Sequence, residues 1–339
     1  MKILGIQFAP WRIPWQRRLQ TSVVASWIST FVFMGLGGLL LLAYLLLFTR
    51  FWWVSVAYAG WFWYDKDACN RGGRRWQWVR RWQLWRHFRD YFPVRLVKTC
   101  DFSPDENYLV GSHPHGVLCA GAFCNFCTEG NDFSGTFPGI TPHMLTLEGN
   151  YSQPFYRELF MATGGVAATK RSMEYLLSLP TRGHMLVLVV GGAPEALMAR
   201  PGVSQLYINR RKGFIKIALR FGVSLVPVFH FGETDVYTQV WNPEGSRLRR
   251  WQEWLMHYIG LAPVLFLGRG MLQYNFGIVP FRRPVTTVLG RPIPVQKSAD
   301  PSQQQIDELH ERYKVALKEL YDTHRHKYAL DPTVELEFK

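Results

Sequence analysis

From Ile28 to Phe48 the chain runs 21 residues without a charge, which is the length a helix needs to cross the hydrocarbon of a bilayer. After Thr49-Arg50 comes a second apolar block, Phe51–Tyr64. Its 14 residues are few for another crossing, but their Trp and Tyr content suits a membrane interface. Arg12, Arg17 and Arg18 precede the pair, and Lys66, Arg71, Arg74 and Arg75 follow it. Basic flanks on both sides favour both ends on the cytosolic face. The pattern therefore predicts a membrane-embedded hairpin over 23–64 behind a cytosolic tail, 1–22, turning at Arg50 or at Gly35, Gly37 and Gly38. A cleaved signal peptide is set aside, because the run starts late, is long, and is not followed by a small-residue cleavage site.

Within 65–95 the stretch Arg71–Phe92 is the most basic of the chain. Trp78, Trp82, Trp85, Phe88 and Phe92 recur at three- and four-residue steps, one face of a helix, with Arg74, Arg75, Arg80, Arg81, Arg86 and Arg89 around them. This pattern predicts an interfacial helix with its rings in lipid and its arginines on phosphates. A core helix with a solvated basic face is the alternative for part of it.

Beyond Pro93 the pattern becomes that of a globular α/β domain, 96–339. Tyr108–Gly111, Met185–Val190, Ser224–Phe229 and Val285–Leu289 are short apolar runs of strand length. Val117–Phe126 and Gly213–Phe221 are expected helices, and Asp300-Pro301-Ser302 introduces a long polar helix over Gln303–His324. Strands alternating with helices imply a largely parallel sheet covered on both faces. Leu261–Leu267 is apolar but too short to span; core packing and membrane contact both stay open.

Composition sharpens the picture in two places. The formal net charge is +14, which points to an anionic partner: nucleic acid, anionic lipid or a phosphate-bearing cofactor. The 21-residue uncharged run beside the basic stretch favours lipid over nucleic acid. The five cysteines, Cys69, Cys100, Cys119, Cys124 and Cys127, form no regular framework and suggest reduced thiols.

Three constellations could carry chemistry. His113-Pro114-His115-Gly116 follows an expected strand, where active-site loops of α/β sheets lie. A histidine titrates near neutrality and can take the proton of a hydroxyl nucleophile. A structural turn is the plain alternative. A metal site is disfavoured, because Val117-Leu118-Cys119 follows where zinc hydrolases with an H-x-H turn add Asp-His. Second, Gly191-Gly192-Ala193-Pro194-Glu195 puts a glycine pair after a buried strand, suited to an oxyanion, with a carboxylate able to orient a histidine. A helix-start Glu is the other reading. Third, Arg210-Arg211-Lys212-Gly213 sets three cations before a helix whose N-terminus attracts anions, although such runs are commonly solvated.

Together these blocks resemble the diacylglycerol acyltransferase 2 and monoacylglycerol acyltransferase family. Tyr91-Phe92-Pro93 and His113–Gly116 match its YFP and HPHG blocks. Arg211-Lys212-Gly213-Phe214 through Gly222, Leu225-Val226-Pro227-Val228 and Phe231-Gly232 matches its long signature. The resemblance implies a glycerolipid-acyltransferase-like mixed sheet flanked by helices, and an endoplasmic-reticulum enzyme with both termini cytosolic, the lipid droplet being a second location. It implies acyl-CoA and acylglycerol as substrates, and no metal or other cofactor. Related enzymes carry His-x4-Asp, but Leu118 and Ala120 stand five beyond His113 and His115. The acidic role therefore falls to Glu195 as partner of His115, with His113 the second candidate base. Gly116, Gly191 and Gly192 are the oxyanion candidates, and Arg210, Arg211, Lys212 and Gly213 the acyl-CoA site. The short N-terminal tail resembles the monoacylglycerol enzymes, so the expected product is diacylglycerol from 2-monoacylglycerol. Diacylglycerol acceptors, wax synthesis and a non-enzymatic lipid-droplet scaffold are the alternatives, and a homo-oligomer stays open.

Overall fold

The computed structural model of the protein describes residues 2–3 and 5–339. Its first long element is one 34-residue helix, Trp15–Phe48, in which α1 (Trp15–Ser29) continues through a π-helical turn, Thr30–Met34, into α2 (Gly35–Phe48). Among the described residues it is the one helix long and apolar enough to cross a membrane. Its two halves have different surroundings. Val24 and Ile28 are fully buried against the globular body, and the Trp27 ring meets Phe88 edge-on at 5.0 Å. In α2 Leu36, Leu39, Leu40, Leu41, Leu46 and Leu47 are exposed, Leu47 by 69%, and Leu42 and Leu45 are half-buried.

The chain breaks at Thr49–Phe51 and runs on as α3 (Trp52–Asp65), whose Ser55 hydroxyl donates to the Leu42 carbonyl at 2.8 Å. Arg50 therefore marks the break. Gly35 and Gly38 lie inside α2, where a Cβ would collide with Gln153 and Phe155 of the body. They permit close helix packing and make no turn. Asp65, at the end of α3, is held by the buried Arg157 at 3.0 Å and also by Arg74.

The stretch 71–92 departs from its expected single interfacial helix. It forms a four-residue turn, Gln77–Arg80, and then α4 (Leu84–Tyr91). Arg80 is fully buried, donating to Phe126 O at 2.9 Å and Thr163 O at 2.6 Å and pairing with Glu129 at 3.2 Å. Trp85, Phe88, Tyr91 and Phe92 are buried in the protein core, while Trp76 and Trp78 stay outside. The core could take up this basic segment because carbonyls and a carboxylate receive its guanidinium.

Seven strands build the central sheet: β1 (Arg95–Lys98), β2 (Tyr108–His113), β3 (Thr141–Thr146), β4 (Gly165–Ala167), β5 (His184–Val189), β6 (Ser224–Phe231) and β7 (Thr286–Leu289). Their spatial order is β1-β7-β6-β2-β5-β3-β4. The five strands from β6 to β4 are mutually parallel, and β7 with β1 runs antiparallel to them. The sheet is thus mixed, as the resemblance implied.

Side-chain alternation along the strands divides the core in two. Val110, Val187 and Val226 face one cluster with α1, α4 and the residues after Gly116. Leu109, Leu186 and Leu225 face the other. There the sheet is covered by α5 (Lys170–Leu177), α6 (Gly213–Phe221) and, following α7 (Arg247–Ile259), α8 (Gln303–Tyr328). Ser302 and Gln305 cap α8 reciprocally, each side chain accepting the other's backbone N–H at 3.2 and 2.9 Å. Ile306, Leu309, Tyr313, Leu317 and Leu320 then fall on its buried face.

Candidate active site

Strand β2 lies between parallel neighbours β5 and β6, so His113–Gly116 and Gly191–Glu195 leave the carboxyl ends of adjacent strands. Ligands of open α/β sheets bind in the crevice beyond such ends.

The two histidines have different surroundings. His113 is completely buried, and its Nε2 lies 3.1 Å from the Tyr313 hydroxyl, which donates at 3.1 Å to the Gly111 carbonyl. That hydroxyl has one proton and gives it to a carbonyl, so it accepts from His113 Nε2–H. His113 is thereby fixed as the Nε2–H tautomer, and burial pushes its pKa down to about 3. His115 is half-buried, and its Nδ1–H donates to the Gly116 carbonyl at 3.0 Å. Its Nε2 is left as an open lone pair, the form a general base needs. Burial lowers its pKa also.

Glu195 is buried, and its carboxylate hydrogen-bonds to neither imidazole. One carboxylate oxygen accepts the His115 backbone N–H at 2.5 Å, and the other accepts Tyr207 N–H at 2.8 Å. The expected ring-to-carboxylate pair is thus replaced by a grip on the main chain. Desolvation raises the Glu195 pKa to about 7, against the two N–H bonds and nearby Arg211, which favour the charged form. Gly191 is required here because a Cβ would overlap the Glu195 carboxyl folded over it. Gly192 and Gly116 have φ of 61° and 60°, a conformation that favours glycine.

Of the three cations, Arg211 alone reaches this turn. Its Nη2 lies 3.5 Å from the Gly191 carbonyl, and its guanidinium sits 5.4 Å from the Tyr207 ring centroid. Lys212 is drawn to Asp307 at 2.7 Å, Arg210 is exposed, and Gly213 opens α6 at the surface.

Three residues that sequence reading passed over complete the site. Glu233, also buried, lies beneath the turn. Its carboxylate accepts Ala120 N–H at 2.6 Å and Gly121 N–H at 2.7 Å, and its side chain packs so closely on Gly116 that a Cβ there would collide. This grip starts the helical segment at Ala120 and not at the expected Val117, after Cys119 has taken a φ of 54°. Burial raises the Glu233 pKa to about 7. His230 joins the Ser112 and Thr287 hydroxyls, each at 2.7 Å, and burial pushes it down to about 3. Tyr313 is the third. Only Glu233 left a trace in the sequence, as a carboxylate directly after Phe231-Gly232.

Among the described residues no three His, Cys, Asp or Glu side chains gather as metal ligands would. Cys124 and Cys127 are buried singly, and burial lifts both thiols to about 12.

A family model described as diacylglycerol acyltransferase matches residues 44–339, which sets the chain among the O-acyltransferases. The 2-acylglycerol O-acyltransferase 1 of Bos taurus is 45% identical over 99% of this chain and 100% of its own length. Human diacylglycerol O-acyltransferase 2 is 43% identical over 95% of this chain and 83% of its own. Among solved structures, the 1-acyl-sn-glycerophosphate acyltransferase of Thermotoga maritima is similar at a TM-score of 0.41 and 13% identity, over 91% of this chain and 94% of that one. The chain belongs to the diacylglycerol acyltransferase family.

Proposed function

We propose that this protein transfers a fatty acyl group from acyl-CoA to 2-monoacylglycerol, forming diacylglycerol. The observation that carries the chemistry is the open Nε2 of His115, whose other ring nitrogen is committed to Gly116. His115 Nε2 takes the proton of the acceptor hydroxyl as its oxygen attacks the thioester carbonyl. When the C–S bond breaks, the proton returns to the leaving thiolate and gives free CoA. Backbone N–H groups of Gly116, Gly191 and Gly192 are the oxyanion candidates. Arg211 is the cation best placed for CoA phosphate, and the exposed Arg210 extends that basic edge, while Lys212, paired with Asp307, and Gly213 stand behind it. No metal or cofactor has a step in this scheme.

Support for the acceptor is the end-to-end similarity to the bovine 2-acylglycerol O-acyltransferase 1. A diacylglycerol acceptor is the second reading, favoured by 43% identity to the human diacylglycerol O-acyltransferase 2. In this proposal α2 and α3 form a hairpin embedded in the endoplasmic-reticulum membrane, with both chain ends cytosolic. The exposed leucines of α2 support it. The test is transfer from radiolabelled oleoyl-CoA to 2-monoacylglycerol, diacylglycerol and fatty alcohol in parallel, with His115→Ala as the control. Preferred turnover of 2-monoacylglycerol supports the proposal, and full turnover by the folded His115→Ala protein sinks it.

A further inference from the structure

Helix α7 is amphipathic in the reverse of the usual sense. Its two buried residues, Arg249 and Gln252, are polar. Trp251, Trp254 and Tyr258 stand at three- and four-residue steps on one face, and all are exposed, Tyr258 by 69%. A helix on a soluble body turns its apolar stripe inward. After Gly260 the chain continues the pattern with exposed Leu265, Leu267, Leu272 and Phe276. A contiguous apolar surface of this kind marks an interaction site.

Two sets of bonds locate this face. Toward the N-terminus it joins the root of the apolar helix. Ala9 N–H donates to Leu272 O at 2.8 Å, Tyr274 N–H to Gln7 O at 3.0 Å, and Arg282 to the Gln20 side chain at 2.5 Å. These bonds tie the loop after α7 to the N-terminal segment and to the first turns of Trp15–Phe48. On its inner side the segment just before α7 and the buried polar residues of the helix together grip the residues that follow Glu195. Gln239 donates to Ala196 O at 2.7 Å and to Ala199 O at 2.6 Å, and Asn242 donates to the Gln252 side-chain carbonyl at 2.6 Å. Asn242 and Arg249 both donate to Leu197 O at 3.4 Å. The exposed Arg247 and Arg250 flank the rings with the charge that phosphate headgroups attract.

We propose that α7 and the loop after it are a second lipid-seating surface. The helix lies in the plane of one leaflet, rings at the headgroup–acyl boundary, and its polar underside holds the Glu195 turn at that leaflet. The occupant is the phospholipid surface itself, and a second copy of the chain is the competing occupant. The proposal goes beyond the hairpin reading and is tested separately from it.

The experiment uses the full chain in phosphatidylcholine nanodiscs with a nitrobenzoxadiazole label on Trp254→Cys. Leu46→Cys in α2 and Val315→Cys on exposed α8 are companions, and the unsubstituted chain sets the labelling background. The expected result is loss of Trp254-label fluorescence to doxyl-phosphatidylcholine and protection from aqueous iodide, with the reverse for Val315. Iodide quenching at 254 as complete as at 315, while 46 is quenched by lipid, overturns this surface and leaves the hairpin standing. Protection at 254 that the lipid quencher does not penetrate, and that vanishes at one chain per disc, assigns the face to a second copy and overturns the lipid proposal. An unquenched 46 beside a lipid-quenched 254 supports this surface and overturns the hairpin.

Discussion

Glu195 holds His115 by the main chain and leaves its ring free. The carboxylate takes the backbone N–H at 2.5 Å, and the imidazole turns its Nδ1–H to the Gly116 carbonyl at 3.0 Å. The tautomer of the proposed base is thus set by its own turn, and the carboxylate fixes where that turn sits.

Removing the ring should abolish proton transfer with little change in fold, because His115 is half-buried and its ring bonds only the adjacent carbonyl. His115→Ala is expected to lose about a hundred- to ten-thousandfold in kcat, with a melting temperature near that of the parent. Parallel oleoyl-transfer assays and thermal melts in detergent check both halves.

Glu195→Gln copies the protonated carboxyl, because it too has one carbonyl oxygen as its strong acceptor and one group that carries hydrogen. With the Glu195 pKa near 7, the parent's activity should change across that pH as the carboxylate forms. The glutamine variant should stay at the parent's acid-side level throughout. Rates from pH 5.5 to 8.5 read this directly, and a parallel step in both proteins would refute the assignment.

Tyr313→Phe deletes the hydroxyl that receives His113 Nε2–H, leaving a fully buried donor without a partner. The expected loss is about 1–3 kcal/mol of stability, seen as a lower unfolding midpoint. The KM for acyl-CoA should hold.

Arg211→Ala and Lys212→Ala separate ligand contact from surface pairing. Arg211 faces the Gly191 turn, so its loss should raise the acyl-CoA KM severalfold and flatten the dependence of KM on salt. Lys212 is engaged with Asp307 on a half-exposed surface, where such a pair contributes about 0–1 kcal/mol, and its loss should leave KM near the parent value.

Stability should depend on pH with two opposing slopes. His113 and His230, pushed down to about 3, stay neutral when folded, while the unfolded chain charges them below about 6.5. Their contribution is complete above that pH and is lost as pH falls toward 3. Glu195 and Glu233, raised to about 7 from a usual 4.5, keep their protons when folded, so their effect lowers stability as pH rises through 4.5 to 7. The terms oppose between 4.5 and 6.5, and below 4.5 only the histidine loss remains. Melting temperatures should therefore fall steeply under pH 4.5, and Glu233→Gln should remove part of the decline toward neutrality.

Local pattern made much of this legible. The apolar runs over 108–111, 185–190, 224–229 and 285–289 fall on β2, β5, β6 and β7, and the cap at Ser302 starts α8. What escaped depends on contacts distant in sequence. Tyr313 meets His113 across 200 residues from a helix that reads as polar, and Glu233 reaches Ala120 across 113. Arg80 reads as a surface charge, because nothing near it in sequence reveals the carbonyls of Phe126 and Thr163 that take it into the core. The Glu195–His115 pairing was legible as a proximity, but its atoms were not.

Strands β6 and β7 are hydrogen-bonded antiparallel neighbours, a pairing that a two-residue turn suffices to join. The chain instead spends residues 232–285 on that join, and α7 with its outward aromatic face lies wholly inside the excursion. Apart from Glu233 at its first corner, the catalytic turns belong to the sheet and not to this insert. The outward rings can therefore be exchanged with no strand changing its neighbour, whereas Gln239, Asn242 and Arg249 beneath them are tied to the segment after Glu195, so the insert's outer face is free to vary and its inner face is not.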